Sequence, residues 1–162
     1  MKLLDSNLFD SLSFEASETP RLRKHLNLHT SYDEPSQRLL IAMEPGSYLR
    51  PHRHLVVSKP ETFVCLRGAM LLVLFSDDGK IARPLRIGPG EEAAGAEVTS
   101  GEWHTVLSLE CGSILLETKP GPFTPIPEED MAQWAPSEGD KEVPAYLESL
   151  RDIALKLRSS VE

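Results

Sequence analysis

The segment YLRPHRHLVVSKPETFVCLRG, residues 48–68, decides how this chain is read. It sets two of the chain's five histidines, His52 and His54, one residue apart and follows them with Glu61. On an extended strand residues i and i+2 share a face, so Tyr48, Arg50, His52 and His54 project to one side and Leu49, Pro51 and Arg53 to the other. Two imidazoles so placed reach a common point. Glu61 opens the next apolar run, ETFVCLR, and an antiparallel return would bring its carboxylate beside the pair. The intervening residues LVVSKP must then loop out.

Working outward, the pattern on both sides is that of short strands. The runs QRLLIAM, SYLRPHRH, ETFVCLR, AMLLVLF, ARPLRI, WHTVLSL and SILLETK are rich in Val, Ile, Leu and Phe. Turn sequences break them: Glu44-Pro45-Gly46, Ser76-Asp77-Asp78-Gly79, Gly88-Pro89-Gly90 and Cys111-Gly112. Strands at this spacing predict a small antiparallel barrel or sandwich over residues 37–119. Residues 1–30 read as helical. Leu3, Leu4, Leu8, Phe9, Leu12 and Phe14 make one helical stripe, and Thr19-Pro20 reads as an N-cap and first-turn proline before a second helix, RLRKHLNLH. Residues 120–143 form a proline-rich wrap. A C-terminal helix over 144–160 carries Leu147, Leu150, Ile153 and Leu157 on one stripe, to be buried on the barrel or on a second subunit of a homodimer.

With 162 residues, the chain has the size of a single domain burying about 70% of its unfolded surface. Seventeen Lys and Arg stand against 25 Asp and Glu, a net charge of −8, so its field repels nucleic acid and anionic lipid surfaces. Asp5 and Asp10 interrupt the N-terminal apolar residues, and no later run approaches a membrane span. These features predict a cytoplasmic protein with no nucleic-acid or membrane partner. Cys65 and Cys111 are too few for a disulfide scaffold and lack metal-ligand spacing, so both are read as free thiols.

A third imidazole, His104, starts the run WHTVLSL just after Ser100-Gly101. Three imidazole nitrogens and one carboxylate oxygen make a mixed set suited to a divalent metal such as Zn, Fe, Mn, Ni or Cu, with positions left for water or substrate. Taken singly, each residue has a plainer reading. An isolated H-x-H is usually a solvated pair, a Glu at a strand start is usually surface, and a His after Gly is usually a turn residue. Glycines bracket all of them, with Gly46 before His52, Gly68 after Glu61 and Gly101 before His104, and the plainer reading then needs several coincidences at once.

The string G-SYLRP-H-R-H-LVVSKP-E-TFVCLR-G resembles the first cupin motif, and S-G-E-W-H resembles the second. That resemblance implies a mainly β fold, a cupin or small antiparallel jelly-roll barrel with short N-terminal helices and a C-terminal helix. It also implies one divalent metal ion held by His52, His54, Glu61 and His104. More narrowly, PRLRKHLNLHTSYDEPSQRLLIAMEPGSYLRPHRH, KPETFVCLRGAM, GEWHTVLSLECGSILLETKPGPF and MAQWAPSEGD are similar to the WbuC-type cupin metalloproteins of bacterial polysaccharide gene clusters. That family is defined by fold and metal, so the resemblance implies a site and leaves the substrate open.

Around the histidines, Arg50 is expected to share the inward face, where its guanidinium could clamp a carboxylate or phosphate. Tyr48, Lys59 and Arg38 complete a candidate substrate-binding set, with Arg67 and Lys119 as supporters. The competing expectation is that these cations pair with Glu61, Glu97 or Glu117. Tyr48 and Trp103 could line the mouth or simply pack. His25 and His29, at i and i+4 of the expected second helix, are read as structural or rim residues. Three functions stay open: a metal-dependent isomerase or epimerase of a small sugar or sugar phosphate, an Fe(II)-dependent dioxygenase of a small acid, and a non-catalytic binder or sensor of a small, possibly anionic, ligand.

Overall fold

A computed structural model describes residues 1–55 and 58–159, excepting the side chains of Arg158 and Ser159. Helix α1 spans Ser6–Ser17, followed by strands β1 (Arg23–Asn27), β2 (Ser36–Met43), β3 (Glu61–Arg67), β4 (Met70–Phe75), β5 (Ile81–Ile87), β6 (Gly95–Val98), β7 (Trp103–Ser108) and β8 (Ser113–Pro120). A short 3-10 turn, Glu128–Asp130, precedes the long helix α2, Val143–Ser159. Val56 and Val57, the centre of the expected loop, lie outside the described residues, as does Ser160 at the end of the expected last helix. Among the described residues no helix is long and apolar enough to cross a membrane.

Two antiparallel sheets face each other, one ordered β1-β2-β8-β3-β6 and the other β5-β4-β7. Between them lies a core of Leu39, Ile41, Met43, Phe63, Cys65, Met70, Leu72, Ile87, Val106 and Leu115. The outer faces are covered too. Helix α1 sets Leu12 and Ala16 against Leu40, Ala42 and Ile114 on the back of the larger sheet. Helix α2 sets Leu147, Leu150 and Ala154 against Leu71, Val73, Phe75 and Leu107 on the back of the smaller one. This is why β7 is buried at every position instead of alternating. The apolar stripe of α2 thus packs on the barrel of its own chain.

The second N-terminal helix expected in residues 1–30 is instead the edge strand β1, paired antiparallel with β2 from Arg23↔Met43 to Asn27↔Leu39. KHLNLH alternates with period two as well as fitting a helical spacing, and so short a run does not separate the two. Tertiary packing separates them: Leu26 and Leu28 go outward under α1, and the polar alternates go inward. Thr19 does not cap a helix start. It closes a turn through Leu22 N–H to Thr19 O (3.0 Å), with Leu22 at φ 52°. The real α1 begins later than expected, capped by Asp5, whose carboxylate accepts from Leu8 N–H at 3.0 Å. Leu3, Leu4 and Phe14 of the expected stripe are exposed.

Residues 48–54 are extended but are not a regular strand. Pro51 has no N–H to give a ladder, and only His52 forms bridges, to His104 on one side and Met131 on the other. The chain also does not return as a hairpin at Glu61, because β3 pairs with β6 and β8 in the opposite sheet. Strand β6 carries little apolar signal, and its glycine has a steric reason: a Cβ on Gly95 would lie 2.0 Å from Phe63 O. Gly95→Ala is therefore expected to cost about 1–3 kcal/mol of stability through overpacking, read as a lower denaturation midpoint. Burial pushes the Cys65 thiol up to about 11, whereas Cys111 is exposed. At pH 8 a disulfide reagent should modify Cys111 in the native chain and Cys65 only after unfolding.

Candidate metal centre

His52, His54, Glu61 and His104 come together, all buried, with one potential ligand atom from each lying within 4.8 Å of every other. The residues arrive from both sheets. His52 and His104 are cross-strand neighbours joined by two backbone bonds, His52 N–H to His104 O (3.0 Å) and His104 N–H to His52 O (2.8 Å). His54 follows on the same segment, its carbonyl held by Ser100 Oγ at 2.6 Å. Glu61 reaches in from the first position of β3, whose alternation sends Glu61, Phe63 and Cys65 inward.

Hydrogen bonds orient the rings. His104 Nδ1–H donates to Glu102 O (2.9 Å) and His52 Nδ1–H to Arg50 O (3.2 Å), so in each neutral ring Nε2 is left with a lone pair. His104 Nε2 lies 2.9 Å from Glu61 Oε2. His54 Nε2 lies 3.1 Å from Glu61 Oε1, too poorly aligned to bond, and is buried with no partner. A nitrogen lone pair facing a carboxylate lone pair is repulsive unless a cation stands between them. The donor set thus fits a divalent ion. Burial, then the neighbouring His104, lowers the His52 pKa to about 3, so that ring is neutral and binds a cation without first losing a proton.

Burial works to raise the Glu61 carboxyl, and the Lys119 ammonium beside it works to lower it. Lys119 Nζ donates to Glu61 Oε1 (2.6 Å) and to Glu117 Oε1 (2.7 Å). Burial works against its charge, yet Glu117 and Glu61 keep its pKa raised. The Glu117 carboxyl is raised by burial, in part offset by Lys119. Both residues line a cavity of about 310 Å³ that also meets His52, Glu61 and His104. His25, Tyr32 and Phe123 are exposed members of its wall and mark the rim.

None of the expected substrate-binding residues lines this cavity. Arg50 Nε donates to Ala132 O (2.9 Å), and its Nη1 pairs with Glu128. Tyr48 packs under α2 with its hydroxyl on Pro136 O (2.7 Å), and Arg38 pairs with Glu34. Lys59 donates to Pro122 O and Thr124 Oγ1. Strand parity misplaced Arg50 and Tyr48, because Leu49 and His52 both face the cavity and the irregular segment slips by one between them. Trp103, beside His104, faces outward, its Nε1 on Asp77 (3.0 Å) and Arg53 stacked over its ring. Arg67 holds α1 through Asp10 and Ser13. Of these candidates only Lys119 lines the chamber, and it does so as an ion-pair partner. Glu117 and Gln37 were not singled out as site residues, although Glu117 shares the face of Lys119 by simple alternation.

Two facing antiparallel sheets with a buried His and Glu group between them give this chain a cupin-type fold, with a site able to hold a metal ion. A family model described as a domain of unknown function (DUF6016) matches residues 4–87, and the chain belongs to that family. Among curated proteins, none matches the sequence. Among solved structures, KdgF from Halomonas sp. is similar at 15% identity and TM-score 0.51, over 66% of this chain and 85% of that one. Protein SO0799 from Shewanella oneidensis is similar at 14% identity and TM-score 0.50, over 65% and 70%. A recombinant oxalate oxidase in complex with glycolate is similar at 15% identity and TM-score 0.50, over 66% and 56%. At these identities the likeness concerns the fold.

Lys119 fixes one oxygen of Glu61, and such supporting contacts typically contribute a factor of 10–100 in metal affinity. Lys119→Met is expected to weaken divalent-ion binding by about that factor in a competition titration with a chelating dye. Unchanged affinity would show that Lys119 does not orient Glu61 for binding.

Proposed function

We propose that the chain is a metal-dependent enzyme acting on a small sugar-like or hydroxy-acid ligand, of isomerase or epimerase type, with one divalent ion (Zn, Fe, Mn or Ni) held by His52, His54, Glu61 and His104. A polysaccharide setting, as in WbuC-type cupins, belongs to the same reading. The observation that carries it is Glu117, a second buried carboxyl on the cavity wall that is not part of the four-residue group. When bound, the ion would polarise a carbonyl or hydroxyl oxygen of the ligand as a Lewis acid. Glu117 then supplies what such chemistry needs from the chain. Its Oε1 is anchored by Lys119, which leaves the carboxyl placed on the cavity wall to take a proton from a ligand carbon and return it. Lys119 stays charged between the two carboxylates and keeps Glu61 and Glu117 apart in role. Apolar walls from Leu39, Ile41, Phe63 and Val106 exclude water around the reacting atoms.

The test has two levels. Purified protein is expected to carry a divalent ion and to melt higher when the ion is added, and His52→Ala and His104→Ala are expected to lose both effects. Metal-loaded protein incubated in D2O with a panel of aldoses, ketoses and hydroxy acids is expected to place deuterium on a ligand carbon, followed by NMR. Glu117→Gln is expected to stop that exchange while keeping its metal. Wild-type protein with neither metal nor a metal-dependent melting shift would remove the reading.

A further inference from the structure

At the end of the chamber opposite the metal group, two buried polar atoms have no partner: His29 Nε2 and Gln37 Oε1. Both residues line the cavity and are more than nine-tenths buried, at 8% and 2% exposure. Their chemistry is set by what the rest of each side chain does. His29 Nδ1 lies 2.9 Å from Arg38 O and 3.0 Å from the Arg38 backbone N–H. Arg38 O already accepts from Leu28 N–H (2.8 Å), whereas the Arg38 N–H can only donate and has Nδ1 as its acceptor, so Nδ1 accepts and the ring proton sits on Nε2. The Gln37 amide nitrogen donates to Glu34 O (2.8 Å) and Tyr32 O (3.2 Å). The reverse amide orientation would set oxygen against two carbonyls, so Oε1 is the free acceptor. One donor and one acceptor are therefore directed into the same chamber.

Their position relative to the metal group follows from the sheet. Gln37 pairs with Lys119 across β2 and β8, and Lys119 reaches Glu61 on β3. Two strand spacings of about 4.8 Å set Gln37 roughly 10 Å from Glu61 along one inward row. The cations of the wall are already matched, Lys119 by Glu61 and Glu117, and Arg23 by Glu138 and Tyr48 O (2.7 Å). An anionic group therefore has no partner at this end. A hydroxyl does, because it accepts and donates at once. Buried polar groups are almost always hydrogen-bonded, so this pair takes its partner from inside the chamber: water when it is empty, a ligand hydroxyl when it is filled.

We infer that His29 Nε2–H and Gln37 Oε1 form a hydroxyl-reading subsite, and that the ligand is a polyhydroxylated acid with its oxygen-rich head at the metal group and its uncharged hydroxyl tail at this pair. The inference rests on the proposed metal reading for the head and on the two unpaired atoms for the tail. It selects sugar acids over short hydroxy acids and over sugar phosphates, whose second charge would have to be buried beside Gln37 without a cation.

Glycolate and D-gluconate share an α-hydroxycarboxylate head and differ in the hydroxylated tail. Calorimetric titration of metal-loaded wild type is expected to give gluconate an affinity at least about tenfold higher than glycolate, as two added hydrogen bonds provide. The preference is expected to collapse toward unity in His29→Leu and, separately, in Gln37→Met, each checked for a wild-type circular dichroism spectrum and metal content. Using both variants covers the case in which one of them fails to fold. Equal affinities in loaded wild type, no binding of either acid, or a preference that persists in the folded variants would overturn the inference. Failure of the metal reading shows differently, as wild type that takes up no ion. In that event D-sorbitol, which needs only the hydroxyl pair, replaces the acids; weaker binding in the variants supports the subsite, and binding equal to wild type overturns it.

Discussion

The two backbone hydrogen bonds that join His52 to His104 are the constraint on which the site depends. Residues 48–54 have no regular ladder, yet these bonds hold them along the edge of β7 as an added member of the smaller sheet. The C-terminal segment closes the other side, with Arg53 N–H on Asp130 O (2.9 Å) and Ala132 N–H on Pro51 O (2.9 Å). A segment containing Pro51 thus keeps its backbone polar groups paired on both sides, which is what allows it to be buried. With that edge in place two imidazoles stand directly opposite one another and a third follows at His54. Glu61, fixed in the facing sheet, has a defined point to reach.

A polar chamber inside a domain is costly unless its groups are paired, and the arrangement of layers supports it. Apolar burial is supplied on the outside of both sheets, by α1 over Leu40, Ala42 and Ile114 and by α2 over Leu71, Val73 and Leu107. Strand β1 is accordingly inverted, with leucines outward and His25, Asn27 and His29 inward. Within the chamber each charge has a counter-charge: Lys119 lies between Glu61 and Glu117, and Arg23 meets Glu138. What is left without a protein partner is chemically particular. Among the described residues it comprises His54 Nε2 in the metal group and a donor with an acceptor, His29 Nε2 and Gln37 Oε1, at the other end.

Much of the fold was legible because local chemistry reported it. Apolar runs bounded by Gly, Pro and Asp turns correspond to β2, β3, β4, β5, β7 and β8, and the stripe of Leu147, Leu150, Ile153 and Leu157 corresponds to α2. The misreadings share one cause. RLRKHLNLH carries helical and strand periodicities together, and α1 chose between them by covering Leu26 and Leu28. Gly95 was silent because its role is to let β6 approach the backbone of Phe63, a neighbour distant in sequence. Arg50 and Tyr48 were assigned by strand parity to a segment that slips between Leu49 and His52, so they face Ala132 and Pro136 instead of the chamber.

The sequence by itself determined the kind of side chain available for a site: His52 and His54 at i and i+2, a carboxylate at a strand start, and His104 after a glycine turn. Those are local facts of spacing and residue type, and they hold whatever the pairing of the strands. Only the tertiary structure decided which groups share a chamber, because that depends on register across strands far apart in the chain. It put Gln37 beside Lys119, Lys119 beside Glu61 and Glu117, and His29 at the far end, and it turned Arg50 away. Side chains acquire a function of this kind from their neighbours, and neighbours are set by the pairing of whole sheets rather than by the order of residues.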